Sequence, residues 1–363
     1  MKYLFQCLFY STIIILFASC GKDDPVMPQP MPEPDCPGDW VHAPSSYSLE
    51  IPKSLPKMNI PSNNVMTIQG VALGRLLFYD PILSGDNTLA CAGCHLQENG
   101  FTDPDQFSEG IDGDLGDRNA MQIINLGYAN KLFWDGRVEG LENQALEPVE
   151  NPVEMHETWP NAISELADHN DYPKLFYEAF GTCVISKELA AKALAQFERT
   201  LISGNSKFDK VTIGGMGVFF TDEELNGFDI FFTEKGDCFH CHGGALFTDN
   251  EFHNNGLDSI ILDLGLENAT ENIHDRGKFK APTLRNIELT APYMHDGRFK
   301  TLEEVIDFYS DNLQFSETLD PLMKNVSEGG IQLSPKEKTE LLAFLKTLTD
   351  RDFVTNENFS TPL

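Results

Sequence analysis

Basic side chains are scarce in this sequence. Its 363 residues include 26 lysines and arginines against 56 aspartates and glutamates, which gives a formal net charge of -30. So few cations cannot neutralise a run of phosphates, and the composition therefore argues against binding to nucleic acid and against adsorption to anionic lipid. The same charge suits plain solubility, or a partner protein that presents a basic face.

The sequence also lacks an apolar run long enough to span a bilayer. The stretch from Leu4 to Phe17 is too short for this and is followed by small residues and Cys20. It resembles a lipoprotein signal, so we expect residues 1–19 to be a signal peptide and Cys20 to carry lipid; an ordinary secretory signal cut nearby is the alternative. Residues 20–46 are rich in proline and predict an extended tether. We therefore expect a cell-envelope protein anchored to the outer membrane, on its periplasmic or its outer face.

Alternation of polar and apolar residues is scarce as well, so the predicted fold class is mainly α, with long loops. Two segments repeat one order of features. Gly74 lies in an apolar helical stretch, and Gly227 lies in a helix that Thr221 and Glu224 open with a capping box. Each is followed by a cysteine motif, long loops and a closing helix. The repeat predicts two tandem domains, residues 47–208 and 209–363.

Four of the eight cysteines form two C-x-x-C-H motifs, the attachment sequence of c-type haem. Two thiols at this spacing reach the vinyl groups on one porphyrin edge, and the following histidine lies under the iron. A structural zinc site or a redox dithiol explains the pattern less well, since neither needs the histidine. Cys36 and Cys183 are left over, as a disulfide pair or as two free thiols. The predicted attachment residues are Cys91 and Cys94 with His95, and Cys238 and Cys241 with His242.

Further motifs cover most of the chain between residues 71 and 350. They are Leu73–Pro81 (LGRLLFYDP), Arg118–Ala120, Phe133–Arg137 (FWDGR), Gln144, Pro152–Met155, Ala281–Asn286 and Thr290–Gly297. In this order they resemble the bacterial dihaem cytochrome c peroxidases and the related dihaem enzymes that mature methylamine dehydrogenase.

The resemblance implies two cytochrome c-like haem domains and a division of roles between them. The first haem would meet peroxide, with Gln144 and Glu154 beside it as orienting group and acid–base catalyst. The second haem would relay electrons, with Trp134 between the two as a redox bridge or as packing. The resemblance also implies a calcium ion at the interface of the two halves, with Asn119, Thr290 and Pro292 as its ligands.

Two positions depart from well-studied members of that family. Where those members have a histidine that caps the first haem at rest, this sequence has Ile111, and no histidine occurs between His95 and His156. We therefore expect the first haem to be open at rest. Where they have a methionine ligand to the second haem, this sequence has Tyr309, as do the maturation enzymes. Tyr309 is the predicted distal ligand; the alternative is that it only packs and that Met294 binds.

Three functions fit these residues. The first is a peroxidase that reduces hydrogen peroxide to water with electrons from a small cytochrome or another periplasmic donor. The second is a dihaem oxidase that modifies side chains of a partner protein, which Tyr309 and Ile111 favour. The third is a non-catalytic dihaem electron carrier, in which Gln144 and Glu154 would be idle. A homodimer is compatible with each.

Overall fold

The computed structural model describes residues 36–214 and 217–362. The predicted signal peptide, Cys20 and the first part of the tether lie outside the described residues. Among the helices that are described, none is long and apolar enough to cross a membrane.

The mainly α prediction is confirmed, because the described strands are two-residue segments in two small antiparallel sheets. The first sheet pairs β1 (Lys131–Leu132) with β2 (Val138–Glu139), and the second pairs β3 (Phe252–His253) with β4 (Phe279–Lys280). The helices are α1 Ile68–Tyr79, α2 Cys91–Cys94, α3 Leu141–Gln144, α4 Glu147–Glu150, α5 Trp159–Asp168, α6 Tyr172–Phe180, α7 Lys187–Glu198, α8 Lys207–Ile213, α9 Asp222–Phe231, α10 Glu267–Thr270, α11 Leu302–Asp311, α12 Pro335–Lys346 and α13 Arg351–Val354. In the second C-x-x-C-H motif, a short 3₁₀ turn spans Cys238–His240, and Cys241 follows it.

In the first half of the chain, α1 packs closely against α7. Gly74 makes this approach feasible, because a Cβ there would overlap the backbone carbonyl of Ala193. The Thr67 side chain caps α1 by accepting a hydrogen bond from the Gly70 amide. The apolar faces of both helices enter a large core that also holds Trp159 from α5.

The second half repeats this arrangement with α9 and α12. Gly227 takes the place of Gly74, since a Cβ there would overlap the carbonyl of Glu340. The capping box predicted at Thr221 is present, and Ser334 forms another at the start of α12. These helices enclose a second core, rich in phenylalanine.

Both chain ends described by the structure are attached to the first half. Cys36 forms a disulfide with Cys183, which resolves the pairing that the sequence left open. Phe353 of α13 and Phe359 pack into the first core. Asp350, just before α13, accepts hydrogen bonds from the backbone amides of Gly204 and Asn205. The C-terminal segment thus links the second core to the first.

Candidate active site

The two C-x-x-C-H motifs present their histidines in the same way. Nδ1 of His95 lies 3.0 Å from the Phe101 carbonyl oxygen, and Nδ1 of His242 lies 3.3 Å from that of Phe247. A carbonyl only accepts, so each Nδ1 carries the hydrogen and each Nε2 keeps a lone pair for a metal. Burial lowers the pKa of both rings, which keeps them neutral. Both histidines are therefore prepared to bind iron.

Glu154 lies near the cysteines of the first motif. Its charge acts on both Cys91 and Cys94, which places the carboxylate near the two thiols. Burial raises the pKa of Glu154, although Asn151 opposes this by donating a 2.6 Å hydrogen bond to its Oε1. A partly buried carboxyl group of raised pKa is the type of group that serves as an acid–base catalyst.

Ile111 is held next to Glu154. Its backbone amide donates to the Glu154 carbonyl at 3.0 Å, so the loop around residue 111 runs against the segment that carries the acid. The side chain at this place is aliphatic and cannot ligate a metal. His156 lies close by in sequence, but its ring is exposed and pairs with Asp112.

Among the buried oxygens of the first half that have no hydrogen-bond partner, two lie at helix ends. One is Oε1 of Gln144, at the end of α3, and the other is Oε2 of Glu198, at the end of α7. Burial raises the pKa of Glu198 to about 8, and its charge acts on Cys91. Sequence reasoning named Gln144 but missed Glu198; the signal was an acid inside the apolar register of the repeated closing helix.

A cavity lies beside the second motif and collects most of the remaining predicted residues. Apolar residues dominate its wall, among them Leu341 and Leu345 of α12. The predicted site residues that line it are Cys238, Cys241, His242, Tyr309, Asn119, Trp134, Thr290 and Pro292, together with the alternative ligand Met294.

Asn119 and Trp134 are joined directly within this wall. The Trp134 indole donates a 2.8 Å hydrogen bond to the Asn119 carbonyl oxygen. The Asn119 amide nitrogen donates in turn to the carbonyl oxygens of Asp105 and Gln106, each at 3.2 Å. Residues of the first half therefore form part of the wall of the cavity beside the second motif.

Two further residues of this wall carried no sequence motif. The His253 ring is 15% exposed and pairs with Asp249 at 2.9 Å and with Asp320 at 2.6 Å. Hydrogen bonds to Asp249, to Cys241 and to Asp320 raise the pKa of His253 to about 11, so the ring is a cation within the wall. Asn255 donates from its amide nitrogen to the Tyr309 hydroxyl oxygen at 3.1 Å. Only the fold brings these residues to the cavity.

Comparison with known proteins places the chain in a family. Residues 68–216 match the family of di-haem cytochrome c peroxidases. The chain belongs to that family. It is 33% identical to the cytochrome-c peroxidase IdrP1 of Pseudomonas sp. (strain SCT), over 81% of this chain and 84% of that one. It is 35% identical to the methylamine utilization protein MauG of Methylorubrum extorquens, over 82% of each chain.

A solved structure agrees with these relatives. A MauG-like protein associated with microbial copper homeostasis superposes with a TM-score of 0.81 at 36% identity, covering 87% of this chain and 99% of that one. Membership of the family makes this protein an oxidoreductase with two c-type haems.

The residues present fit two such haems. Each motif combines two cysteines with a neutral histidine whose Nε2 is available. Beside the second motif, the wall is apolar, as a porphyrin requires. In the first half, Gln144 carries a buried oxygen without a partner, which a bound group or water would satisfy.

Proposed function

We propose that this protein is a dihaem peroxidase that reduces hydrogen peroxide to water with electrons from a small c-type cytochrome or a similar donor. One haem would be attached at Cys91 and Cys94 with His95 as its ligand, and the other at Cys238 and Cys241 with His242. The observation that carries the proposal is Glu154, whose carboxyl group has a raised pKa and lies near Cys91 and Cys94, and whose backbone carbonyl accepts a hydrogen bond from the amide of Ile111, a residue that cannot cap a haem.

The side chains around the first motif suit this chemistry. The first haem, when bound, would supply the redox chemistry that cleaves the O–O bond of peroxide, and two electrons from the donor with two protons would complete the reduction to two waters. Glu154 takes the proton of the oxygen that binds and returns it to the oxygen that leaves as water, a role worth roughly 10²–10⁴-fold in rate. The unpartnered Oε1 of Gln144 accepts a hydrogen bond from the substrate and orients it.

Ile111 supports a resting enzyme that needs no prior reduction. An aliphatic side chain leaves the sixth position of the first haem to water or to peroxide. Electron paramagnetic resonance of the ferric protein as isolated tests this. We expect one high-spin and one low-spin haem, with the high-spin signal lost after one equivalent of peroxide. Two low-spin haems that ignore peroxide would contradict the open site. The same measurement after reduction would then separate a capped peroxidase from a plain electron carrier.

The second candidate function is oxidation of side chains on a partner protein. It is favoured by Tyr309, whose phenol lines the cavity beside the second motif. The maturation enzymes also have a tyrosine at this position of the sequence. Steady-state turnover of peroxide with a reduced small cytochrome separates the two candidates. Fast turnover supports the peroxidase, and slow turnover with a long-lived oxidised state supports the oxidase.

A calcium ion held by Asn119, Thr290 and Pro292 is part of the proposal. All three line the same cavity wall, and the bonds that Asn119 donates to Asp105 and Gln106 use its amide nitrogen and leave its Oδ1 to accept a cation. Metal analysis of the purified protein should find about one calcium per chain. Asn119→Ala should lose it, and the haem content should stay at two.

The proposed place of action is the outer membrane, through a lipid on Cys20. Mass spectrometry of detergent-extracted protein should find an acylated N-terminal Cys20, and Cys20→Ala should release the protein in soluble form. Size-exclusion chromatography of that released form will show whether it is a monomer or a homodimer.

A further inference from the structure

In the cavity beside the second motif, one side-chain amide donates hydrogen bonds to two candidate iron ligands. Asn255 donates from Nδ2 to the Tyr309 hydroxyl oxygen at 3.1 Å and to the Met294 Sδ at 3.6 Å. An amide nitrogen carries two hydrogens, so it serves both acceptors at once. All three side chains line the cavity that also contains His242.

The backbone around Asn255 is fixed from both sides. The side-chain amide of Asn254 donates to the hydroxyls of Ser316 and Thr318, each at 2.9 Å. The backbone carbonyl of Gly256 accepts a hydrogen bond from the backbone amide of Gln314 at 2.7 Å. His253 is held between its two carboxylates. The residues on both sides of Asn255 are thus bound to the loop at residues 314–320, whereas the Asn255 side chain lines the cavity.

Met294 is held equally firmly, in an unusual conformation. Its φ of +75° is one that residues other than glycine rarely adopt. Its neighbours enforce this: the Tyr293 amide donates to the Phe299 carbonyl at 2.7 Å, and the His295 ring stacks on Phe279 at 3.7 Å. A strained backbone that is enforced in this way is common at functional sites.

We propose that Asn255 is a positioning residue that selects Tyr309 over Met294 as the distal ligand of the second haem. A hydrogen bond to the phenolate oxygen stabilises its charge and leaves lone pairs for iron. A hydrogen bond to the thioether sulfur holds Met294 back from the same position. The inference rests on the proposed attachment of the second haem at Cys238 and Cys241.

Removal of the amide should therefore exchange the ligands. In wild-type ferric protein we expect no thioether-to-iron charge-transfer absorption. Asn255→Ala should produce that absorption, with the ratio of methionine to tyrosine ligation raised about tenfold or more, because a hydrogen bond to a charged group is lost. Adding Met294→Leu to this variant should abolish the absorption. The reduction potential of the second haem should rise in Asn255→Ala, since thioether ligation favours ferrous iron.

Two further variants serve as a control and as a substitute for the alanine variant. Met323→Leu replaces another methionine of the cavity wall by leucine. Added to Asn255→Ala, it should leave the thioether-to-iron absorption of that variant unchanged. Asn255→Ser is the second variant if alanine prevents folding, because its short hydroxyl cannot serve both acceptors.

Three results would overturn the proposal. They are a ferric spectrum unchanged by Asn255→Ala and Asn255→Ser, a spectrum unchanged by Tyr309→Phe, or a wild-type thioether absorption that Met294→Leu removes. Mass spectrometry of the haem peptides, measured on the same samples, reports separately whether haem is attached at Cys238 and Cys241. Failure of the attachment is thereby distinguished from failure of the ligand selection.

Discussion

The two halves of the protein share a scaffold and differ in the polarity of what surrounds their histidines. In both, two helices cross at a glycine, and a threonine in the closing turn donates to a phenylalanine carbonyl: Thr200 to Phe197 at 2.7 Å, Thr347 to Phe344 at 2.6 Å. The residue after each phenylalanine differs. It is the buried acid Glu198 in the first half, and in the second it is Leu345, which lines the cavity.

The difference extends to the residues beside each motif. The first half places the acids Glu154 and Glu198 near Cys91. The second surrounds its cysteines with many apolar residues and with the potential ligands Tyr309 and Met294, and the ion pair of His253 and Asp249 lies beside Cys241. One scaffold thus presents two environments: buried acids near the first motif, and potential ligands in a largely apolar wall beside the second.

Replacement of Glu154 should have the largest effect, because it removes the acid near the first motif. Glu154→Gln keeps the shape and removes the proton exchange, so peroxide turnover should fall roughly 10²–10⁴-fold. The absorption spectrum of the second haem should not change. Glu150→Gln makes the same replacement at an exposed position of α4 and should turn over like wild type. Equal activity of the two variants would remove Glu154 from the mechanism.

The next effect tests the shared scaffold. Gly74→Ala and Gly227→Ala each place a Cβ against a backbone carbonyl, which forces a helix pair apart and should lower the free energy of unfolding by about 1–3 kcal/mol. Denaturant unfolding measures this loss. Gly38→Ala, where a Cβ would meet nothing within 4 Å, is the control. A neutral Gly227→Ala beside a damaging Gly74→Ala would show that the two crossings are not equivalent.

Much of this scaffold was predictable from the sequence, because local rules determine it. The capping boxes, the two C-x-x-C-H motifs and the repeated Phe-x-x-Thr-Leu segments depend on neighbouring residues. His253 and Asn255 could not be predicted, since their partners Asp320 and Tyr309 lie more than fifty residues away. The role of Cys36 required the fold as well, because two spare cysteines pair only if the chain brings them together.

A smaller effect concerns Glu198. Its pKa rises from 4.5 to about 8 on folding, so between these values the folded chain holds a proton that the unfolded chain has lost. Stability should therefore fall as the pH rises through this window. Glu198→Gln cannot ionise, and its free energy of unfolding should exceed that of wild type by an amount that grows from pH 5 to pH 8. Its counterpart Leu345→Met should show no such pH dependence relative to wild type. A constant difference between Glu198→Gln and wild type would mean that Glu198 titrates normally.

The smallest effect lies where the halves meet. Trp134→Phe removes the indole hydrogen bond to the Asn119 carbonyl and should cost roughly 0.5–1.5 kcal/mol of stability. If the indole also carries charge between the haems, the second haem should be oxidised more slowly after peroxide is added, while the first responds as before. Stopped-flow absorbance distinguishes the two haems. A rate equal to that of wild type, together with the lower stability, would assign Trp134 to packing alone and leave electron transfer between the halves to other residues of the cavity wall.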